Sequence, residues 1–121
     1  MGDTFLLAQA DIHLWVVLSD PDKDPDRIVL VSLTTLTPDK EPACLLVRGE
    51  HPWVKHDTCV FYQGARLAAL KELYKLKDAG LLKPQEPLSE HVLLRIQKNG
   101  GDSTWDDVYA DILIEQGLLD C

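Results

Sequence analysis

Arg27-Ile28-Val29-Leu30-Val31-Ser32-Leu33 decides how this chain is read. A strand with one face in water alternates apolar and polar residues. Here the apolar residues run on without a break, and β-branched side chains are frequent, so the segment is expected to be a central strand buried on both faces. Upstream, Ser19-Asp20-Pro21 and Asp22-Lys23-Asp24-Pro25-Asp26 form a polar loop, because two prolines and a cluster of like charges do not pack. Before that loop, His13-Leu14-Trp15-Val16-Val17-Leu18 reads as a second strand and Thr4 to Leu7 as a short first one.

Downstream, Thr34-Thr35-Leu36-Thr37-Pro38 closes the central strand, and Asp39-Lys40-Glu41-Pro42 is a loop. Cys44-Leu45-Leu46-Val47 is a fourth strand and Gly49-Glu50-His51-Pro52 a turn. Thr58-Cys59-Val60-Phe61-Tyr62 is a fifth strand, continuing through Gly64 toward Leu67. Short strands joined by Pro/Gly loops predict a small barrel over residues 2–67. The period then changes. Leu67, Leu70, Leu73, Tyr74 and Leu76 recur at helical spacing, with Gly80 as a C-terminal cap. Pro84 and Pro87 interrupt. Ser89 caps a helix from Glu90 to Lys98, ended by Asn99-Gly100-Gly101. Ser103, with Asp106 three residues on, opens a third helix bearing Trp105, Val108, Tyr109, Ile112 and Leu113, stopped at Gly117. The expected fold is one domain, mostly β with C-terminal helices: a barrel followed by about three short helices over residues 68–119.

A chain of 121 residues is the usual size of one domain, and 45% hydrophobic residues suffice for one core. No apolar run approaches the length needed to span a bilayer. The N-terminus lacks a basic region followed by a long apolar stretch, so no secretory signal is read and the cytoplasm is the expected location. Cys44, Cys59 and Cys121 form no Cys-x-x-Cys pair, and Cys44 and Cys59 read as small buried hydrophobes. The net charge of −8 argues against a protein coated in phosphate-binding charge. Its distribution is uneven. Residues 44–83 hold seven Lys/Arg and four Asp/Glu between two acidic ends. A locally basic middle is compatible with a small anionic site, and equally with a solvated surface.

Three of the 4 histidines fall in loops or strand ends of the barrel half. His13 begins the second strand, Thr34 and Thr35 end the central one, and His51, Lys55 and His56 sit in the loop before the fifth. Histidine moves protons near neutral pH, and a cation stabilises the charge of a phosphorane. Two histidines, a hydroxyl and a cation suffice to cleave RNA through its own 2′-hydroxyl. The alternative is that these are surface or structural groups, with Trp53 covering the barrel end. Arg66, alone among apolar neighbours, either pairs with a carboxylate across the barrel or faces the site. His51 and His56 make a poor zinc pair, because Pro52 intervenes and no third ligand is evident, so neither metal nor cofactor is expected. The acidic stretch Asp20 to Asp26 departs from a calcium loop in its prolines and its missing glycine.

Several segments resemble PemK/MazF-like toxins: Gly2-Asp3-Thr4-Phe5-Leu6-Leu7, His13-Leu14-Trp15-Val16-Val17-Leu18-Ser19-Asp20, Val29-Leu30-Val31-Ser32-Leu33-Thr34-Thr35, Lys55-His56-Asp57-Thr58-Cys59-Val60 and Gln63-Gly64-Ala65-Arg66-Leu67. The resemblance covers about residues 2–70. It implies an SH3-like barrel, commonly a homodimer, and a metal-independent endoribonuclease held in check by an antitoxin. Thr34 takes the place of the family's catalytic hydroxyl residue. The family's catalytic arginine has no counterpart, and His13 stands about where it is expected. The loop Ala8 to Ile12 is also short for the family. The expected catalytic set is His13, Thr34, His51 and His56, with Lys55, Arg66 and Thr35 binding single-stranded RNA. Two alternatives remain: a non-catalytic module on the same barrel that binds a protein partner on its helical face, and an acidic inhibitor of a nucleic-acid-binding protein.

Overall fold

The computed structural model describes residues 1–8, 13–35, 44–102 and 105–119. The expected loop closing at Ile12, the segment from Leu36 to Pro42, Ser103 and Cys121 therefore lie outside the described residues. The strands are β1 (Thr4–Leu7), β2 (Leu14–Val17), β3 (Ile28–Thr35), β4 (Leu45–Leu46), β5 (Thr58–Ala68) and β6 (Leu82–Gln85). The helices are α1 (Leu70–Asp78), α2 (Glu90–Asn99) and α3 (Asp107–Glu115). The strands pair antiparallel in one curled sheet, a half-barrel, in the order β4-β5-β3-β2-β1-β6. No helix among the described residues is long and apolar enough to cross a membrane.

The doubly apolar stretch is the inner strand β3, buried from Ile28 to Thr34. Its alternate residues serve two cores. Val29, Val31 and Leu33 join Leu14, Val16, Val60 and Tyr62 on one face, beneath α2, α3 and the segment from Cys44 to Val54. Ile28 and Leu30 join Phe5, Trp15, Val17 and Leu82 on the other, beneath Leu70, Leu73 and Leu76 of α1. We refer to these as the α2/α3 face and the α1 face. Because both faces are covered, the period-two polarity expected of a half-exposed sheet disappears from β2 and β3.

The strand missed in the sequence is β6. Pro84 argues against a strand interior, because proline cannot donate to a ladder. Here β6 is an edge, paired only with β1, where a missing N–H costs little. The C-terminal half is therefore not purely helical: it returns a strand to the sheet, with Thr4 opposite Gln85.

Side-chain caps start α2 and α3, whereas α1 begins after Ala69 without one. The Ser89 hydroxyl accepts from the Val92 N–H, and α2 buries Val92, Leu93 and Ile96. The Gln97 amide of the same helix donates to the Leu18 carbonyl at 2.7 Å, and the Tyr62 hydroxyl donates to the Ile96 carbonyl at 2.6 Å. Asp106, three residues beyond Ser103, is the N-cap of α3, accepting from the Val108 N–H at 3.0 Å. Gly80 follows α1 at φ 76°, a left-handed turn that suits glycine.

Arg95 ties α2 to the β4 edge. Its guanidinium donates to the Leu45 carbonyl at 2.9 Å and to Glu50 at 2.8 Å. The hydrogen bond from Arg95 holds the Glu50 carboxyl below its ordinary value of 4.5. A carboxyl depressed in the folded state contributes stability above its unfolded pKa and loses it as pH falls through the folded value. The Glu50→Gln variant is thus expected to be less stable than the parent at pH 7, and the gap should narrow at pH 3, as read from urea midpoints. On the same measurement, Ile96→Ala, which empties a fully buried site, should cost about 2–5 kcal/mol.

Candidate functional site

Seven residues were expected to share one site: His13, Thr34, Thr35, His51, Lys55, His56 and Arg66. The sheet divides them between its two faces. Successive residues of a strand point to opposite sides. Leu14 lies in the α2/α3 core and Trp15 in the α1 core. The same alternation carries His13, one residue before β2, to the Trp15 side. Leu33 is in the α2/α3 core, so its neighbour Thr34 falls on the α1 side and Thr35 returns to the first.

On the α2/α3 face, His51, Pro52, Trp53, Lys55, His56, Gln85 and Glu86 line an open cleft of about 480 Å³. His51 is buried in its wall, with 4% of its surface exposed. Its Nδ1 accepts from the Trp53 N–H at 3.0 Å, which puts the ring proton on Nε2. Nε2 donates to the Glu86 carbonyl at 2.6 Å, and the Thr4 hydroxyl donates to that same carbonyl at 2.6 Å. Both ring nitrogens are engaged, so His51 has no lone pair left to take a substrate proton. Its position matters structurally. Glu86 follows edge strand β6, and His51 follows edge strand β4, so this imidazole joins the two ends of the curled sheet.

His56 and Lys55 are exposed in the same cleft. His56 Nε2 lies 3.0 Å from the Thr35 hydroxyl, and the His56 carbonyl accepts from the Thr58 hydroxyl at 2.9 Å. The cleft therefore holds one imidazole on a hydroxyl, beside one ammonium.

The α1 face carries a different constellation. One rung across the sheet reads Phe5, Trp15, Ser32, Phe61, each opposite the next and so on one side. Trp15 is 3% exposed, and its indole N–H has no acceptor among the described residues. A buried N–H donor without a partner is uncommon in a native interior and costs about 1–3 kcal/mol. Above that ring lies the Arg66 guanidinium, 4.9 Å from its centroid. Arg66 is exposed and forms no ion pair among the described residues. Of the two alternatives for Arg66, no carboxylate partner is found among the described residues. The cation lies on the indole face, a favourable contact. Two residues along the strands from Trp15 and Ser32, on the same side, come His13, which is half-buried, and Thr34, which is buried and opposite Cys59.

β5 makes this possible. Between the pairs Leu30–Arg66 and Ser32–Phe61 it carries Tyr62, Gln63, Gly64 and Ala65 where β3 has Val31 alone. This irregularity shifts the register, so that Phe61 and Arg66 both come to the α1 side of the sheet. The residues not anticipated from sequence are Trp15, Ser32 and Phe61. The available signal was the two-residue spacing of His13 and Trp15.

No protein-family model matches the chain, and no curated protein matches it. Among the described residues, no group of three or more His, Cys, Asp or Glu is placed to hold a metal ion.

The two imidazoles of the cleft separate by experiment. His51→Ala leaves the Trp53 N–H without an acceptor and should lower stability by about 1–3 kcal/mol in urea unfolding. His56→Ala, at an exposed position, should stay within about 0.5 kcal/mol of the parent.

Proposed function

We propose that the chain is a diverged PemK/MazF-like protein that binds single-stranded RNA on the α1 face and cleaves it without a metal. The observation that carries this reading is Arg66: an exposed guanidinium without an acidic partner among the described residues, seated on the Trp15 indole. A guanidinium so held is complementary to an anion. Thr34, which takes the place of the family's catalytic hydroxyl residue, and His13, which stands about where its catalytic arginine is expected, fall on the same face by strand alternation. Arg66 is supported by its lack of an ion pair among the described residues.

The step is transesterification. The 2′-oxygen forms a bond to phosphorus as the bond from phosphorus to the 5′-oxygen breaks. His13 takes the 2′ proton. Arg66 and the Thr34 hydroxyl stabilise the charge on the non-bridging oxygens. Water gives a proton to the leaving 5′-oxygen, and the hydroxide so formed takes the proton back from His13. The products are a 2′,3′-cyclic phosphate and a 5′-hydroxyl, with no oxidant, reductant or metal consumed. On this reading the half-barrel is a diverged SH3-like barrel working in the cytoplasm, and a protein partner of antitoxin type restrains it.

A second reading keeps the binding surface without the chemistry. It is favoured by the engagement of both His51 nitrogens, which takes one imidazole out of the expected catalytic set. One assay separates the two. A fluorophore–quencher RNA incubated with protein in EDTA should be cut to cyclic-phosphate ends, and a 2′-deoxy substitution at the cut residue should block the reaction. His13→Ala and Arg66→Ala should each slow cleavage by about 100-fold or more, while His56→Ala retains it. RNA that is bound yet intact would establish the second reading, and RNA neither bound nor cut would remove both.

A further inference from the structure

The rung that holds Trp15 ends, beyond Ser32, in an aromatic ring that the fold leaves partly exposed. Phe61 is 41% exposed, although its rung partners Ser32 and Trp15 are buried. A phenylalanine is not held open to water for stability, since burying it contributes about 1.5–3 kcal/mol. The ring is also seated. A Cβ on Gly64 would stand 2.6 Å from Phe61 Cδ2 and 2.7 Å from Cε2, so the ring lies against the bare backbone of Gly64. Glycine is therefore needed at 64 for close approach, and Phe61 is backed on one side and open on the other.

Ser32 separates this ring from Trp15. Adjacent strands lie about 4.8 Å apart, so the two aromatic positions are about 10 Å apart across a small side chain. The exposed Arg66 guanidinium over Trp15 and the exposed Phe61 ring lie on the same side of the sheet, a cation and an aromatic face of the kinds that the phosphate and the base of one nucleotide would meet.

We infer that Phe61 is a base-stacking platform and that the ligand class of this face is a nucleotide whose phosphate meets Arg66 while its base lies on the Phe61 ring, with Gly64 positioning that ring. The inference rests on the anion-binding reading of the Trp15–Arg66 pair and adds to it. It makes unstacked, single-stranded nucleic acid the substrate, because a base inside a duplex has no free face to offer. Stacking on an aromatic side chain tolerates every base, so the platform confers affinity and register rather than sequence preference.

The test uses the full chain and simple probes. Inorganic phosphate, ribose 5-phosphate, uridine 5′-monophosphate and adenosine 5′-monophosphate are titrated separately, following the Trp15 indole N–H and the Arg66 side-chain N–H by NMR. The indole signal is assigned with Trp15→Phe. All four probes should shift these resonances. The two nucleotides should bind roughly 5- to 150-fold more tightly than ribose 5-phosphate. Phe61→Leu should abolish that advantage while leaving phosphate binding intact, which also shows that the variant is folded. Phe61→Trp should keep or increase it, and Gly64→Ala should reduce it by displacing the ring. Nucleotides that bind no better than ribose 5-phosphate overturn the platform and leave the anion site standing. If phosphate and nucleotides alike leave both resonances unmoved, the anion site fails and the platform with it.

Discussion

One backbone carbonyl ties the two ends of the curled sheet together. Glu86 lies just past edge strand β6, and its oxygen accepts both the Thr4 hydroxyl and the His51 imidazole. His51 comes from the segment after edge strand β4, at the far side of the sheet. No ladder joins β4 to β6 among the described residues, so the half-barrel is held by a side chain in place of strand pairing. The other imidazole nitrogen is fastened to the Trp53 backbone, which fixes the tautomer and the ring plane together. A histidine used in this way is a strut, and the surrounding cleft inherits its shape from it.

With the curl fixed, the helices decide what remains open. α2 and α3 seal one face with a core running from Leu14 to Leu113. α1 seals only part of the other, through Leu70, Leu73 and Leu76. Phe61 and Arg66 stay exposed there. The polar groups of that face are thus where the sheet has β-structure but incomplete cover. This is a usual place for binding, since a rigid scaffold presents side chains it does not need for its own packing.

Much of the fold was legible in the chain. The uninterrupted apolar run of β3 predicted an inner strand, and Ser89 marked the start of α2 by its spacing alone. β6 was not legible, because Pro84 is a strand breaker everywhere except at an edge, and edge status is a property of the finished sheet. The candidate site was legible in its residues and not in its geometry. Thr34 and Thr35 are neighbours, and a strand sends neighbours to opposite faces, so the two hydroxyls do not serve one cleft. His51 was chosen for its chemistry, yet its role is set by a carbonyl, a group that every residue carries and that leaves no mark in a sequence. Arg66 was ambiguous for the same reason: whether a cation is paired depends on what the β5 irregularity brings beside it.

The pairing of β1 with β6 also bears on how the molecule is made. Thr4 finds its partner in Gln85. During synthesis β1 is therefore made well before the strand that completes its pairing. β1, β2 and β3 can zip together as a meander while the rest is still being synthesised. The outer edge of β1 then waits, unpaired, until Leu82 to Gln85 has left the exit tunnel. Long-range pairing of this kind slows folding and leaves a strand edge open to other chains in the interval. Between those two strands in the chain lies α1, whose leucines pack on the apolar side of β1 and β2, so the face can be covered before β6 completes the edge.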